Sequence, residues 1–215
     1  MQLYPLNLKL EGRRCVVIGG GAIATRKTEG LLRCGARVTV ISPELNEDLA
    51  ALAEEGAIEV LKRPYRRGDL QGAVLAIAGT SRREVNEAVA AEARETGVLV
   101  NVVDVPDLCD FYLPARVRRG PLQVTVGTDG VFPGFSKAMR RHLETIVGEE
   151  YGPYVEMLGR YRARIITLAG AARKKEAERA LLDAPALPLV AEGKLDEAEA
   201  LLAAALAPYL EADAL

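Results

Sequence analysis

The sequence predicts an α/β protein: an N-terminal parallel sheet flanked by helices, a small α+β middle segment and a C-terminal helical domain. Three observations predict it. Short apolar runs alternate with helix-patterned stretches up to about residue 104. Those runs are nearly all apolar, as strands covered on both faces are. After residue 104 the alternation stops; two further strands appear, and from about 152 the chain reads as helix alone.

Taken in order, RCVVI (14–18) reads as a buried strand. The following stretch places Ile23, Ala24, Leu31 and Leu32 at helical spacing and closes at Gly35. RVTVI (37–41) is a second strand, and LNEDLAALAEEG a helix ending at Gly56 with Asn46 as its N-cap. IEVLKRPY is a weaker strand and AVLAIAG (73–79) a strong one. Thr80 or Ser81 is expected to cap the helix REVNEAVAAEARETG, and VLVNVV (98–103) is the fifth strand. FYLPARVRRGPLQVTVGT reads as two strands joined at Arg119-Gly120-Pro121. After the loop TDGVFPG, the helix FSKAMRRHLETIVGEEY carries Phe135, Met139, Leu143 and Ile146 on one face. Three helices, 151–168, 171–182 and 194–212, complete the chain, with Pro185 and Pro188 breaking the last two apart. The expected division is 1–112, 113–148 and 149–215.

Composition excludes several function classes. The 215 residues suit one domain and a smaller second one. There is no Trp, so Ala, Val, Leu and Ile must build the core. A net charge of −2 gives no global pull towards nucleic acid or anionic membrane, and neither is expected as a partner. The opening MQLYPLNLKLEG lacks a charged-then-apolar leader, and no apolar run reaches the roughly 18 residues of a span. A cytoplasmic protein is expected. Cys15, Cys34 and Cys109 are far apart and form no CxxC, so free buried thiols are expected rather than a disulfide or zinc site. No cluster has metal-ligand spacing, and no bound metal is expected.

The chemistry begins after the first strand. Gly19-Gly20-Gly21-Ala22-Ile23-Ala24 fits GxGxxA in strand–turn–helix context, the setting of a Rossmann-type dinucleotide site. Gly19 makes the tight turn, Gly21 admits a pyrophosphate to the backbone, and Ala24 allows close helix–strand packing. The helix N-terminus offers free N–H groups to the phosphates. Ser42, Pro43 and Glu44 follow the second strand, where a ribose-binding acid belongs, and Glu44 is the acid at that spacing. No Arg or Lys stands beside it, which favours NAD over NADP. Thr80, ending the fourth strand, is a further contact candidate.

Asn101 and Asp104 bracket the end of the fifth strand. Asp104 reads either as a general base, if partial burial raises its pKa, or as a turn residue bonding its own backbone. Arg116, Arg118, Arg119, Lys137, Arg140 and Arg141 form a basic strip opposed in sequence only by Asp129, which suits a polyanionic substrate or a solvated face. The single histidine, His142, reads as structural.

GGGAIATRK, VTVISPE, AIAGTSRREVN, NVVDVPDLCDFYLPA and VTVGTDGVFPGFSKAMRRHLE occur in that order. Together they resemble the siroheme synthase N-terminal family of precorrin-2 dehydrogenases, some of which are also sirohydrochlorin ferrochelatases. The resemblance covers residues 1 to about 150. It implies NAD-dependent oxidation of precorrin-2 to sirohydrochlorin, with the bifunctional enzyme that also inserts ferrous iron as the alternative. A non-catalytic NAD(H) sensor is a third reading. It implies a homodimer joined through the middle segment. By motif position it makes Ala22, Ile23, Pro43 and Glu44 cofactor contacts and Asp104 the essential carboxylate. The tetrapyrrole substrate carries eight carboxylates, which gives Asn101, Arg116, Arg119, Lys137 and Arg140 roles in substrate binding. The loop 131–136 departs from the family in carrying Phe132 and Phe135. The methyltransferase domain fused onto some relatives is expected to be absent, and precorrin-2 to come from a separate enzyme.

Overall fold

A computed structural model describes residues 2–168 and 170–211. The chain divides into two compact units, residues 1–113 and 114–215.

The first unit is built on five parallel strands: β1 (Arg14–Ile18), β2 (Arg37–Ile41), β3 (Glu59–Leu61), β4 (Leu75–Ala78) and β5 (Leu99–Val102). Their order is β3-β2-β1-β4-β5. Helices α1 (Ala22–Leu32), α2 (Glu47–Glu54) and α3 (Arg83–Thr96) are the crossovers. Strand order reverses between β1 and β4, the switch point outside whose C-terminal ends α/β sheets bind ligands. β1, β2 and β4 are almost wholly buried, so their side chains feed two cores. Cys15, Val17, Val38, Val40, Leu75 and Ile77 pack with Ala24 and Leu31 of α1 on one face. Val16, Ile18, Ala76, Ala78, Val100 and Val102 pack with Val89 and Ala93 of α3 on the other.

Local chemistry decides the ends. Asn46 caps α2 as expected, its Oδ1 accepting from the Leu49 N–H at 3.2 Å. The expected cap of α3 is corrected: Arg82 holds that position and no side chain caps it. The weak third strand is only Glu59–Leu61. Beyond it the chain turns, held by Arg63 gripping Asp69 through two bonds of 2.7 and 2.8 Å. The carboxylate of Glu92 anchors the same turn, accepting from the Gly68 and Leu70 N–H groups at 2.9 Å and from the Tyr65 hydroxyl.

After β5 the chain forms a 3₁₀ turn at Pro106–Leu108, which periodicity did not reveal. It then returns along the open edge of β5. The Asp110 side chain accepts from the Val100 N–H at 2.9 Å, and the Asp110 N–H donates to the Val100 carbonyl at 2.8 Å. The Cys109 sulfur accepts from the Val102 N–H at 3.2 Å and donates to its carbonyl at 3.1 Å. Backbone groups that would template another strand are thereby satisfied.

The second unit opens with an antiparallel hairpin, β6 (Ala115–Arg119) and β7 (Leu122–Val126). Helix α4 (Pro133–Ile146) covers its half-buried face. Pro133 sits in the first turn, where its missing N–H costs nothing, so the helix starts two residues before Phe135. The apolar stripe of α4 is not a core: Phe135 and Ile146 are about half exposed. Helices α5 (Tyr151–Ile166), α6 (Ala171–Asp183) and α8 (Leu195–Glu211) match the expected three. A fourth, α7 (Ala186–Ala191), occupies the segment read as a proline break. Met157, Tyr161, Ile165, Leu181, Val190, Leu202 and Leu206 form the helical core.

Candidate functional site

The site grows from the turn after β1. Gly19 adopts φ +130°, and a β-carbon there would stand 2.7 Å from the Gly79 carbonyl oxygen. The Gly79 N–H in turn donates to the Ile18 carbonyl at 2.8 Å. Glycine is required at this crossing of β1 and β4, as the tight-turn reading expects. Gly20 is more constrained still, although the motif gives it no role. A β-carbon on it would meet the Glu44 carbonyl oxygen at 1.8 Å and the Ser42 hydroxyl at 2.7 Å. The Gly20 carbonyl accepts from the Asn46 N–H at 2.8 Å.

Gly21 behaves differently. It has ordinary extended backbone, φ −98°, and nothing lies within 4 Å of where its β-carbon would be. It is the N-cap of α1 and supplies no side-chain cap. The N–H groups of the first turn, Ala22 to Ala24, are thus free by helix geometry and carry the positive end of the dipole. An open hollow lined by uncapped amides fits a pyrophosphate, and a β-carbon at Gly21 would intrude on it. Ala24 is buried, as close helix–strand packing needs.

The residues after β2 divide. The Ser42 hydroxyl is buried and donates to the Glu44 carbonyl at 2.6 Å, which shapes the turn. Pro43 and Glu44 are exposed. Thr80 is bonded within its own turn and does not cap α3. Its hydroxyl bonds Asn86 Oδ1 at 2.9 Å and accepts from the Arg82 N–H at 3.2 Å, while Asn86 Nδ2 donates to the Thr80 carbonyl at 3.0 Å.

At the end of β5, Asp104 is exposed and holds φ +60°, one of two non-glycine residues so placed among those described. Partial burial is not found; the left-handed backbone places this carboxylate at the surface. Asn101 is committed elsewhere, its Nδ2 donating to the Phe111 carbonyl at 2.9 Å and lying 3.6 Å from the Cys109 sulfur. That bond fixes the returning loop. Among the thiols only Cys15 is fully buried, and burial pushes it up to about 11. Burial also raises Cys109.

In the second unit the basic strip is not one surface. Arg116 and Arg118 stand on the exposed face of the hairpin, opposite Thr125 and Gln123, while Lys137, Arg140 and Arg141 belong to the helix over the other face. Asp129 is not their only opponent. Glu144 pairs with Arg140, and Glu149 with Arg119 at 3.2 Å. Arg119 is only 15% exposed and also donates to the Val147 carbonyl at 3.0 Å, tying the hairpin to the end of α4. Arg119 thus has partners within its own unit. Arg116 and Lys137 are exposed.

A family model described as "Putative NAD(P)-binding" matches residues 6–115, slightly more than half of the chain. The chain belongs to this NAD(P)-binding family. The siroheme synthase of Methylobacillus flagellatus is 42% identical over 165 residues, 77% of this chain and 35% of that protein. Those of Stutzerimonas stutzeri and Azotobacter vinelandii are 38% and 39% identical over 96% of this chain, each match covering 45% of the relative. The chain thus spans less than half the length of these curated relatives. A solved structure, SirC, precorrin-2 dehydrogenase, superposes with a TM-score of 0.76 at 27% identity, covering 92% of this chain and 99% of that one. The resemblance read from the residues is borne out, as is the α/β fold with its helical C-terminal region. Within this NAD(P)-binding unit, sequence reading missed Gly20 and Glu92. Gly20 stood in plain view in the triplet. Glu92 lay in a helix whose other acids are solvated, with nothing local to set it apart.

Proposed function

We propose that this chain is an NAD-dependent precorrin-2 dehydrogenase of siroheme biosynthesis, acting in the cytoplasm as a homodimer. The observation that carries the reading is the placement of Asp104: an exposed carboxylate in a left-handed turn at the C-terminal edge of the sheet that bears the open Gly21 hollow. Similarity to SirC over nearly all of that protein supports the substrate.

The hollow and the first turn of α1 hold the pyrophosphate. Glu44 meets the ribose, and its exposed carboxylate disfavours a 2′-phosphate, which selects NAD. When bound, the oxidised nicotinamide supplies the hydride acceptor. Dehydrogenation of precorrin-2 removes one hydride and one proton, and Asp104 takes the proton. Residues 1–112 form the cofactor domain, 113–148 the dimerisation and substrate segment and 149–215 the helical domain. The exposed apolar side chains Val131, Phe132, Phe135 and Ile146 support an interface there. Lys137 and Arg140, on α4, meet substrate carboxylates; Arg116, on the other face of the hairpin, does so only if that face also borders the substrate.

The test is anaerobic incubation with precorrin-2 and NAD, followed by absorbance. Wild type is expected to form sirohydrochlorin, and Asp104→Asn to lose about 10²–10⁴-fold in turnover while binding NAD normally. No turnover by wild type, or full turnover by the variant, would overturn the reading.

A further inference from the structure

We propose that Lys27 is a substrate-binding residue whose ammonium receives a substrate carboxylate beside Asp104. The inference rests on the tetrapyrrole reading above and adds a contact that no motif assigns.

Its position is the first argument. Ala24, Thr28 and Leu31 are buried and mark the sheet-facing stripe of α1. Lys27 lies three residues after Ala24 and four before Leu31, on the same stripe, and is half-buried. A helical side chain leans towards the helix N-terminus. The lysine stem therefore runs back towards Ile23, one turn earlier. Ile23 and Val103, at the end of β5, both approach Gly79: their Cγ2 atoms lie 3.8 and 3.7 Å from where its β-carbon would stand. That line leads from α1 to the edge carrying Asp104.

Its charge is the second. Among the described residues Lys27 makes no hydrogen bond and no ion pair. Burial lowers its pKa, the like charge of Arg26 lowers it further, and Asp104 and Cys109 act the other way. The cation feels the Asp104 carboxylate without touching it. A half-buried ammonium with no protein partner among the described residues is costly to the free protein and is relieved by an anion. The pyrophosphate hollow lies at the first turn of α1, whereas Lys27 is on the β5 side. The anion that reaches this place together with a reacting carbon at Asp104 is a carboxylate of the substrate. The amphipathic rule is broken here for binding, not for folding.

The experiment compares Lys27→Met and Lys27→Arg with wild type. It uses anaerobic steady-state kinetics with precorrin-2, absorbance titration of sirohydrochlorin onto the NAD-loaded protein, calorimetry of NAD, and thermal melting. Lys27→Met is expected to weaken both KM and tetrapyrrole binding roughly tenfold, the size of one charge-assisted hydrogen bond. It should keep kcat and NAD affinity, and melt at the same or a higher temperature because a half-buried charge is gone. Lys27→Arg should recover most of the loss. Unchanged tetrapyrrole binding in Lys27→Met, or an equal loss of NAD affinity, overturns the proposal while leaving the dehydrogenase reading intact. A wild-type protein that neither binds nor oxidises the tetrapyrrole overturns both.

Discussion

The carbonyl oxygen of Glu44 stands 1.8 Å from the place a β-carbon on Gly20 would occupy. The turn after β2 is therefore moulded onto the glycine loop, and the two segments hold each other. Gly20 is sterically locked, whereas Gly21 faces open space. Gly20→Ala should cost at least about 2 kcal/mol, read as a fall in denaturation midpoint, because backbone must move. Gly21→Val should cost only about 1 kcal/mol, through a poorer N-cap, yet lose NAD binding by calorimetry. Normal NAD affinity in Gly21→Val removes the cradle.

Asp104 offers a stability–activity trade. A non-glycine residue at φ +60° pays for its backbone, and Asp pays less than most. Asp104→Gly should gain up to about 1 kcal/mol in stability. The same variant should lose turnover as fully as Asp104→Asn. A protein that is both destabilised and active would place neither strain nor chemistry at this residue.

Thr28 is fully buried, and its hydroxyl has no hydrogen-bond partner among the described residues. Thr28→Val removes an unsatisfied polar group at constant shape and should gain about 1 kcal/mol. In a chain of this size that corresponds to about 2–4 °C in Tm. Thr25, equally buried one turn earlier, bonds Asn46 Oδ1 at 3.1 Å, so Thr25→Val should destabilise. Equal effects of the two changes would contradict the assignment.

The Arg63 guanidinium beside Asp69, aided by the Arg66 N–H, holds the Asp69 carboxyl below its usual range. A carboxylate with a depressed folded-state pKa stabilises above its unfolded pKa, and that contribution fades as pH falls through the folded value. Asp69→Asn should therefore be less stable than wild type near neutral pH by about 1–3 kcal/mol. The two unfolding curves should converge on acidification below about pH 4. A gap that persists at pH 2 would assign the loss to packing.

Much was legible from residues alone because it is local. Strand apolarity, the Asn46 cap, and the glycine loop between a strand and a helix each depend on neighbours within a turn or two, so periodicity and backbone sterics reveal them. Asp104 was marked by its place at a strand end. What side chains do once the chain folds was not legible. Ser42, Thr80, Asn101 and Arg119 are polar and well placed in sequence, and each side chain bonds a carbonyl or amide in its own unit. Conversely, Gly20 matters because a segment beyond β2 leans on it, Glu92 because a turn more than twenty residues earlier brings amides to it, and Lys27 because β5 ends beside α1. Hydrogen bonding and steric exclusion act at ångström range between groups far apart along the chain. Only tertiary packing decides which of them meet.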